Sequence, residues 1–196
     1  MKPPDIVDAG TAAAMVRSSG RRVLTFIGYS GAGYEDEAAM LAAARAVLAR
    51  FDPGDTTVNA GATAEGIGAV YALAKEMGFA TTGIVSSVAI SSGAEISRHA
   101  DRVAYVADES WGGVVPGTDR LSPVSQAMVD ASDVLVAIGG GEIGRDELVA
   151  ARRAGKRVEF VPADMHHAAA REKAAKRGED EPADFRGPVH AEFGQR

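Results

Sequence analysis

Three consecutive glycines and, shortly after them, two adjacent carboxylates form the segment best suited to chemistry: Gly139-Gly140-Gly141-Glu142-Ile143-Gly144-Arg145-Asp146-Glu147. The run before it, Val134 to Ile138, has the apolar, β-branched character of a strand covered on both faces. Backbone without Cβ atoms lets N–H groups approach a ligand closely. A helix N-terminus adds unpaired N–H groups and the positive end of a dipole, so the chemistry this spacing favours is the binding of an anion such as phosphate. The alternative is a tight strand-to-helix turn whose acids, Asp146 and Glu147, only complement that dipole.

Two further glycine-rich turns follow expected strands. Gly28, Ser30 and Gly31 belong to Gly28-Tyr-Ser-Gly-Ala-Gly33, which lacks the lysine of a Walker loop and carries Asp36 where a dinucleotide fingerprint needs its third glycine. Gly61, Thr63 and Gly66 form the second turn, where phosphate contact and helix capping by Thr63 are compatible readings. The serines have no GxSxG context. His166 and His167 are adjacent and would diverge by about 100° on a helix, and His99 and His190 have no ligand-like context, so no metal site is expected.

Strands are expected at 22–29, 56–60, around Thr82 to Val85, at 103–106, 134–138 and 158–161. Helices are expected at 8–19, 35–50, 67–77, 90–99, 124–131 and from Gly144 onward. This alternation predicts a single α/β domain, doubly wound, with a mostly parallel sheet and helices on both faces. In such sheets ligands bind beyond the strands' carboxyl ends, where the strand order reverses, and all three glycine turns fall at such ends. The stretch Asp108 to Pro123 is dense in turn formers, as functional loops often are. Trp111 within it would either stack on a base or anchor the loop. After Met165 the chain becomes Ala-rich and charged, which predicts one surface helix and a poorly packed tail, hence a domain over 1–164 and a C-terminal helix and tail over 165–196.

Composition narrows the function classes. The 196 residues suit one well-buried domain. The formal net charge of -6 disfavours broad binding to a nucleic-acid backbone. The absence of cysteine excludes thiolate chemistry and disulfides. No apolar run approaches the roughly 20 residues that span a bilayer and the start of the chain has no signal-peptide core, so a cytoplasmic protein with no membrane partner is expected.

In their order and spacing, the strand-loop Val23 to Gly33, the segment Val58 to Gly78 and the segment Gly139 to Glu147 resemble the SLOG superfamily. This is the Rossmann-like group that includes the LONELY GUY (LOG) phosphoribohydrolases, often labelled lysine decarboxylases. The likeness covers roughly residues 22 to 162 and is that of a divergent member. Against the signature PGGxGTxEE, Gly140 and Gly141 match the phosphate-contacting pair, and Asp146 and Glu147 match the two acids. Gly139 replaces Pro, Ile143 replaces Gly, and Gly144 replaces Thr. The hydrolases' arginine on the preceding helix has no counterpart between Ser122 and Ala131, and Arg120 is the nearest candidate.

The resemblance implies a nucleotide-binding protein that hydrolyses the N-glycosidic bond of a nucleoside 5′-monophosphate. Glu147 would act as base or oxocarbenium stabiliser, oriented by Asp146, with Arg120 assisting and the glycine turns, together with Glu142 and Gly144, holding the ligand. One alternative is a sensor or binding module that leaves its nucleotide intact; another is a DNA-processing accessory protein. No cofactor is implied. A homodimer is expected, with helix faces such as that of Ile67 to Met77 as candidate surfaces, although packing within the monomer's own core explains the same pattern.

Overall fold

The computed structural model describes residues 4–194. Residues 1–3 and 195–196, at the outer ends of the expected domain and tail, lie outside the described residues. The chain runs β1 (Ile6–Val7), α1 (Ala9–Arg17), β2 (Arg22–Gly28), α2 (Glu37–Leu48), β3 (Thr56–Ala60), a 3-10 turn (Gly66–Gly68) into α3 (Ala69–Glu76), β4 (Ala80–Ser86) and α4 (Val88–Ser92). It continues through β5 (Arg102–Val106), α5 (Pro123–Ala131), β6 (Val134–Ile138), α6 (Glu142–Arg153), β7 (Arg157–Val161), α7 (His167–Arg177) and α8 (Gly187–Phe193).

Seven strands form one sheet in the order β1-β5-β4-β3-β2-β6-β7. Every pairing is parallel. The chain builds outward from β2 in one direction, then returns to lay β6 on its other side. The reversal of strand order therefore falls between β2 and β6, where Leu24 pairs with Val134 and Gly28 with Ile138. The turns that begin at Gly28 and Gly139 open side by side there.

Alternation along the strands sends side chains to two cores. Leu24, Phe26, Val136 and Ile138 pack against α2 and α3 through Met40, Leu48, Val70 and Leu73. On the opposite face Val23 and Ile84 meet α1 and α5, while Ile27, Leu135 and Ala137 meet α6 and α8 through Leu148, Ala151 and Val189. Buried polar groups satisfy one another: Asn59 Nδ2 donates to Thr25 Oγ1 at 3.2 Å, and Thr82 Oγ1 donates to Asn59 Oδ1 at 3.2 Å. Such pairing removes the penalty of an unmatched interior dipole. Asp8 and Asp36 cap α1 and α2, accepting the N–H groups of Thr11 at 2.9 Å and Ala39 at 2.8 Å.

Several expectations change. β1, with two residues, is too short to show a pattern, yet it extends the sheet beside β5. The helix expected over 90–99 is only Val88–Ser92: Gly93 takes a left-handed conformation, and Ile96 bridges to Thr63. α6 starts at Glu142, two residues before Gly144. After Met165 there are two helices rather than one, and the second packs, because Val189 is 0% exposed against the turn after β6. The face of Ile67 to Met77 named for dimerisation is taken up by the domain's own core, with Ile67, Val70 and Leu73 buried. Among the described residues, no helix is long and apolar enough to cross a membrane.

Candidate functional site

A cavity of about 730 Å³ opens where the strand order reverses. That lies within the range of small-ligand sites. The first turn contributes Gly28, Ser30 and Gly31, the second Gly61 and Thr63, and the third Gly141, Glu142, Gly144 and Glu147. The structure thus brings nine of the expected residues to one space. Gly66, Gly139, Gly140, Asp146 and Arg120 do not line it.

Those absences have local causes. Gly66, at φ +57°, lets the 3-10 turn press against the first loop, where the Ile67 N–H donates to the Tyr29 carbonyl at 2.7 Å. A Cβ there would collide with that same carbonyl oxygen. Gly139 lies under the Tyr29 ring, where a Cβ would stand 2.5 Å from Cε2. Gly140, at φ +128°, lies under α8, and a Cβ there would stand 2.7 Å from Val189 Cγ2. These two glycines make room for packing. Gly141, by contrast, has nothing within 4 Å of where its Cβ would be, and it stands at the N-cap of α6 facing the cavity. It is the member of the triplet whose backbone is open to a ligand.

The two acids separate. Glu147 is only 6% exposed, yet it forms part of the cavity wall. Its Oε1 accepts a 2.7 Å hydrogen bond from Ser125 Oγ, which in turn accepts the Gly113 N–H at 2.8 Å. Burial pushes the Glu147 carboxyl up to about 7, the Ser125 hydrogen bond opposes that rise, and the nearby Asp146 charge adds to it. Asp146 turns away from the cavity: Oδ2 accepts the Val114 N–H at 3.0 Å, and Oδ1 accepts two Arg145 N–H groups at 3.0 and 2.7 Å. It braces the loop and does not orient Glu147. Arg120 is exposed in the same loop, near the bridge between Val114 and Leu121, and contributes nothing to the cavity wall.

The stretch Asp108 to Pro123 is a tethered loop. Asp108 accepts the N–H of Val124 at the start of α5 and that of Ser110, each at 2.8 Å. Burial opposes ionisation of Asp108, but these N–H groups prevail and hold its carboxyl below the usual range. Trp111, 51% exposed, reaches the cavity from this loop.

Sequence reasoning missed Lys173 and Arg177, which line the cavity from α7. Arg177 Nη1 lies 3.6 Å from Glu142 Oε1. Their i, i+4 spacing puts both cations on one helix face, the only signal available in the sequence. Glu65, beside the Gly31 turn, and Glu95 add two exposed carboxylates to the lining. The cations are therefore confined to the α6–α7 side.

Among the described residues, no group of three or more His, Asp or Glu side chains is placed to hold a metal ion. His166 caps α7 through Nδ1, and His167 pairs with Asp164 at 3.1 Å while stacking on Phe185.

No protein-family model and no curated protein matches the chain. Among solved structures, one of the Moco carrier protein from Chlamydomonas reinhardtii is 19% identical with a TM-score of 0.51, the match covering 89% of this chain and 96% of that one. A second structure of the same carrier protein gives 0.50 at 19% identity and the same coverage. TM1055, a structural-genomics target, gives 0.49 at 18% identity over 70% of this chain and 72% of that one. At such identities the carrier-protein likeness speaks to the fold: a single Rossmann-like α/β domain.

Proposed function

We propose that this chain binds a small phosphate-bearing ligand of nucleotide size in the cavity between β2 and β6 and holds it intact, as a carrier or sensor. The observation that carries this reading is the coincidence of three features at one switch point: the Gly31 and Gly141 turns on the cavity wall, the N-terminus of α6, and the cations Lys173 and Arg177. Backbone N–H groups and the helix dipole favour an anion there, and two cations add charge-assisted contacts. The resemblance to the SLOG superfamily supports a nucleotide-derived ligand. The fold likeness to a protein named as a carrier of the molybdenum cofactor supports a holding role.

Thermal unfolding of the purified protein with a panel of nucleoside monophosphates and ribose 5-phosphate tests the reading. Ligands that bind the folded state raise Tm with concentration, and no shift with any of them would refute it.

A second reading, N-glycosidic hydrolysis, draws on Glu147, a carboxyl raised to about 7 in the cavity wall, as a general acid or base requires. It is weakened by the positions of Asp146 and Arg120, which leave Glu147 without either assistant. Chromatography of the same mixtures separates the two readings: intact nucleotide supports holding, and free base supports hydrolysis.

A further inference from the structure

The cavity has two chemically different ends, separated by the first two residues of α6. Glu142 faces Arg177 on the cationic side. Ile143 faces the loop: a Cβ on Gly112 would stand 3.0 Å from its Cγ2, and one on Gly113 3.5 Å from its Cγ1. On this second side the wall is apolar, with Val124 and Met128 from α5 and Ile84 from β4. Trp111 covers its rim, and Glu147 is the buried polar group within it.

Trp111 and Glu147 belong to one assembly. The position of a Gly112 Cβ, next in chain to Trp111, is 2.8 Å from Ser125 Oγ, and that oxygen is 2.7 Å from Glu147 Oε1. Ser125 occupies Oε1, while Oε2 makes no hydrogen bond to any described residue. Glu147 lines the cavity and its Oε2 is not among the buried polar atoms left without a partner, so that oxygen is open to accept hydrogen bonds from a bound ligand. An exposed indole over an apolar floor provides a stacking surface for a flat ring.

We propose that this end of the cavity is a subsite for the ring of the ligand: a planar heterocycle that stacks on Trp111 and presents adjacent N–H donors to Glu147, as the N1–H and 2-amino group of a 2-amino-6-oxopurine (guanine) do. This rests on the phosphate-binding reading above, with the phosphate at the Lys173–Arg177 end. An ionised carboxylate only accepts hydrogen bonds, so it pairs with a donor–donor edge. It disfavours the adenine edge, which places a ring acceptor beside its amine.

Trp111 is the only tryptophan in the chain, so intrinsic fluorescence reports on this subsite directly. The test is titration at pH 8.5 with guanosine 5′-monophosphate, adenosine 5′-monophosphate and ribose 5-phosphate, followed by fluorescence and calorimetry. The guanosine nucleotide is expected to bind at least about 10-fold tighter than the adenosine nucleotide and to change Trp111 emission, whereas ribose 5-phosphate binds without changing it. Glu147→Gln, which presents a donor beside its acceptor, is expected to abolish the preference. Trp111→Leu is expected to weaken the guanosine nucleotide by roughly 10-fold, within the range for losing one stacked base, and to leave ribose 5-phosphate unaffected. Equal affinity for the two nucleotides, or tight binding with unchanged Trp111 emission, overturns the subsite while the sugar phosphate's binding keeps the phosphate reading intact. Failure of all three compounds to bind overturns both.

Discussion

Ser125 Oγ joins the cavity wall to the loop above it, donating to Glu147 Oε1 at 2.7 Å and accepting the Gly113 N–H at 2.8 Å. One hydroxyl therefore couples a buried acid to the backbone that carries Trp111. A proton, a ligand or a substitution at Glu147 reaches that loop through the Ser125 hydroxyl.

The buried acid gives stability a pH signature. The Glu147 carboxyl rises from 4.5 to about 7 on folding, so between these values the folded state holds a proton that the unfolded chain has released. Its stabilising contribution is full below pH 4.5, declines as pH rises through about 7, and levels off above. Linkage puts the total on the order of 3 kcal/mol. Glu147→Gln keeps an acceptor for Ser125 without the titration. The difference in urea unfolding free energy between variant and wild type should therefore grow in the variant's favour from pH 5 to pH 8; a pH-independent difference contradicts the assignment.

Lys173 and Arg177 lie at the cavity with little to do for the fold. The Arg177–Glu142 pair is exposed on both sides, and such pairs contribute about 0–1 kcal/mol. Lys173→Ala and Arg177→Ala should each leave the Tm of the free protein nearly unchanged while weakening nucleotide binding by about 10-fold, as the loss of a charge-assisted contact does. Calorimetry at low and high salt checks this, since the wild-type advantage should shrink as salt rises.

Gly140 and Val189 should show coupled energetics. Gly140→Ala places a methyl where Val189 stands and also strains a backbone at φ +128°, which together should cost about 2–4 kcal/mol. Val189→Ala leaves a void beneath α8 at about 1–3 kcal/mol. The double variant should be less destabilised than the sum, because the void accepts the new methyl, while the backbone strain remains. A double-mutant cycle in urea measures that coupling.

Asp108 sets the start of α5 and the exit of the tethered loop together. Asp108→Ala removes acceptors for the N–H groups of Val124 and Ser110 and should cost about 1–2 kcal/mol, as the loss of a helix cap does. Limited proteolysis should then cut between 109 and 122 faster than in wild type. Equal cutting rates would show that the loop is held elsewhere.

Much of the fold was legible in the sequence because α/β domains write themselves in long, regular pieces. The apolar runs at Val23 to Ile27 and Val134 to Ile138, each followed by glycines, marked β2 and β6 and hence the place where the cavity opens. What stayed hidden depended on contacts distant in sequence. A glycine looks the same whether it stands open on a cavity wall, as Gly141 does, or lies flat under a neighbour, as Gly139 does under Tyr29 and Gly140 under Val189. The charges of α7 read as a solvated face until the end of β7 brings Lys173 and Arg177 over the cavity. Adjacent acids suggested one catalytic pair, but neighbours on a helix point about 100° apart. One is therefore buried in the wall while the other ties down a loop.

The packing of Val189 on Gly140 also sets a timetable. The first wall of the cavity leaves the ribosome with Gly28, and its supporting helix arrives about 160 residues later, on the order of ten seconds at ordinary rates of synthesis. Until then the turn after β6 has no roof, and the side of Ile27 and Leu135 is covered from α6 without Val189. The nascent protein passes through an interval in which the cavity wall at Gly140 is incomplete.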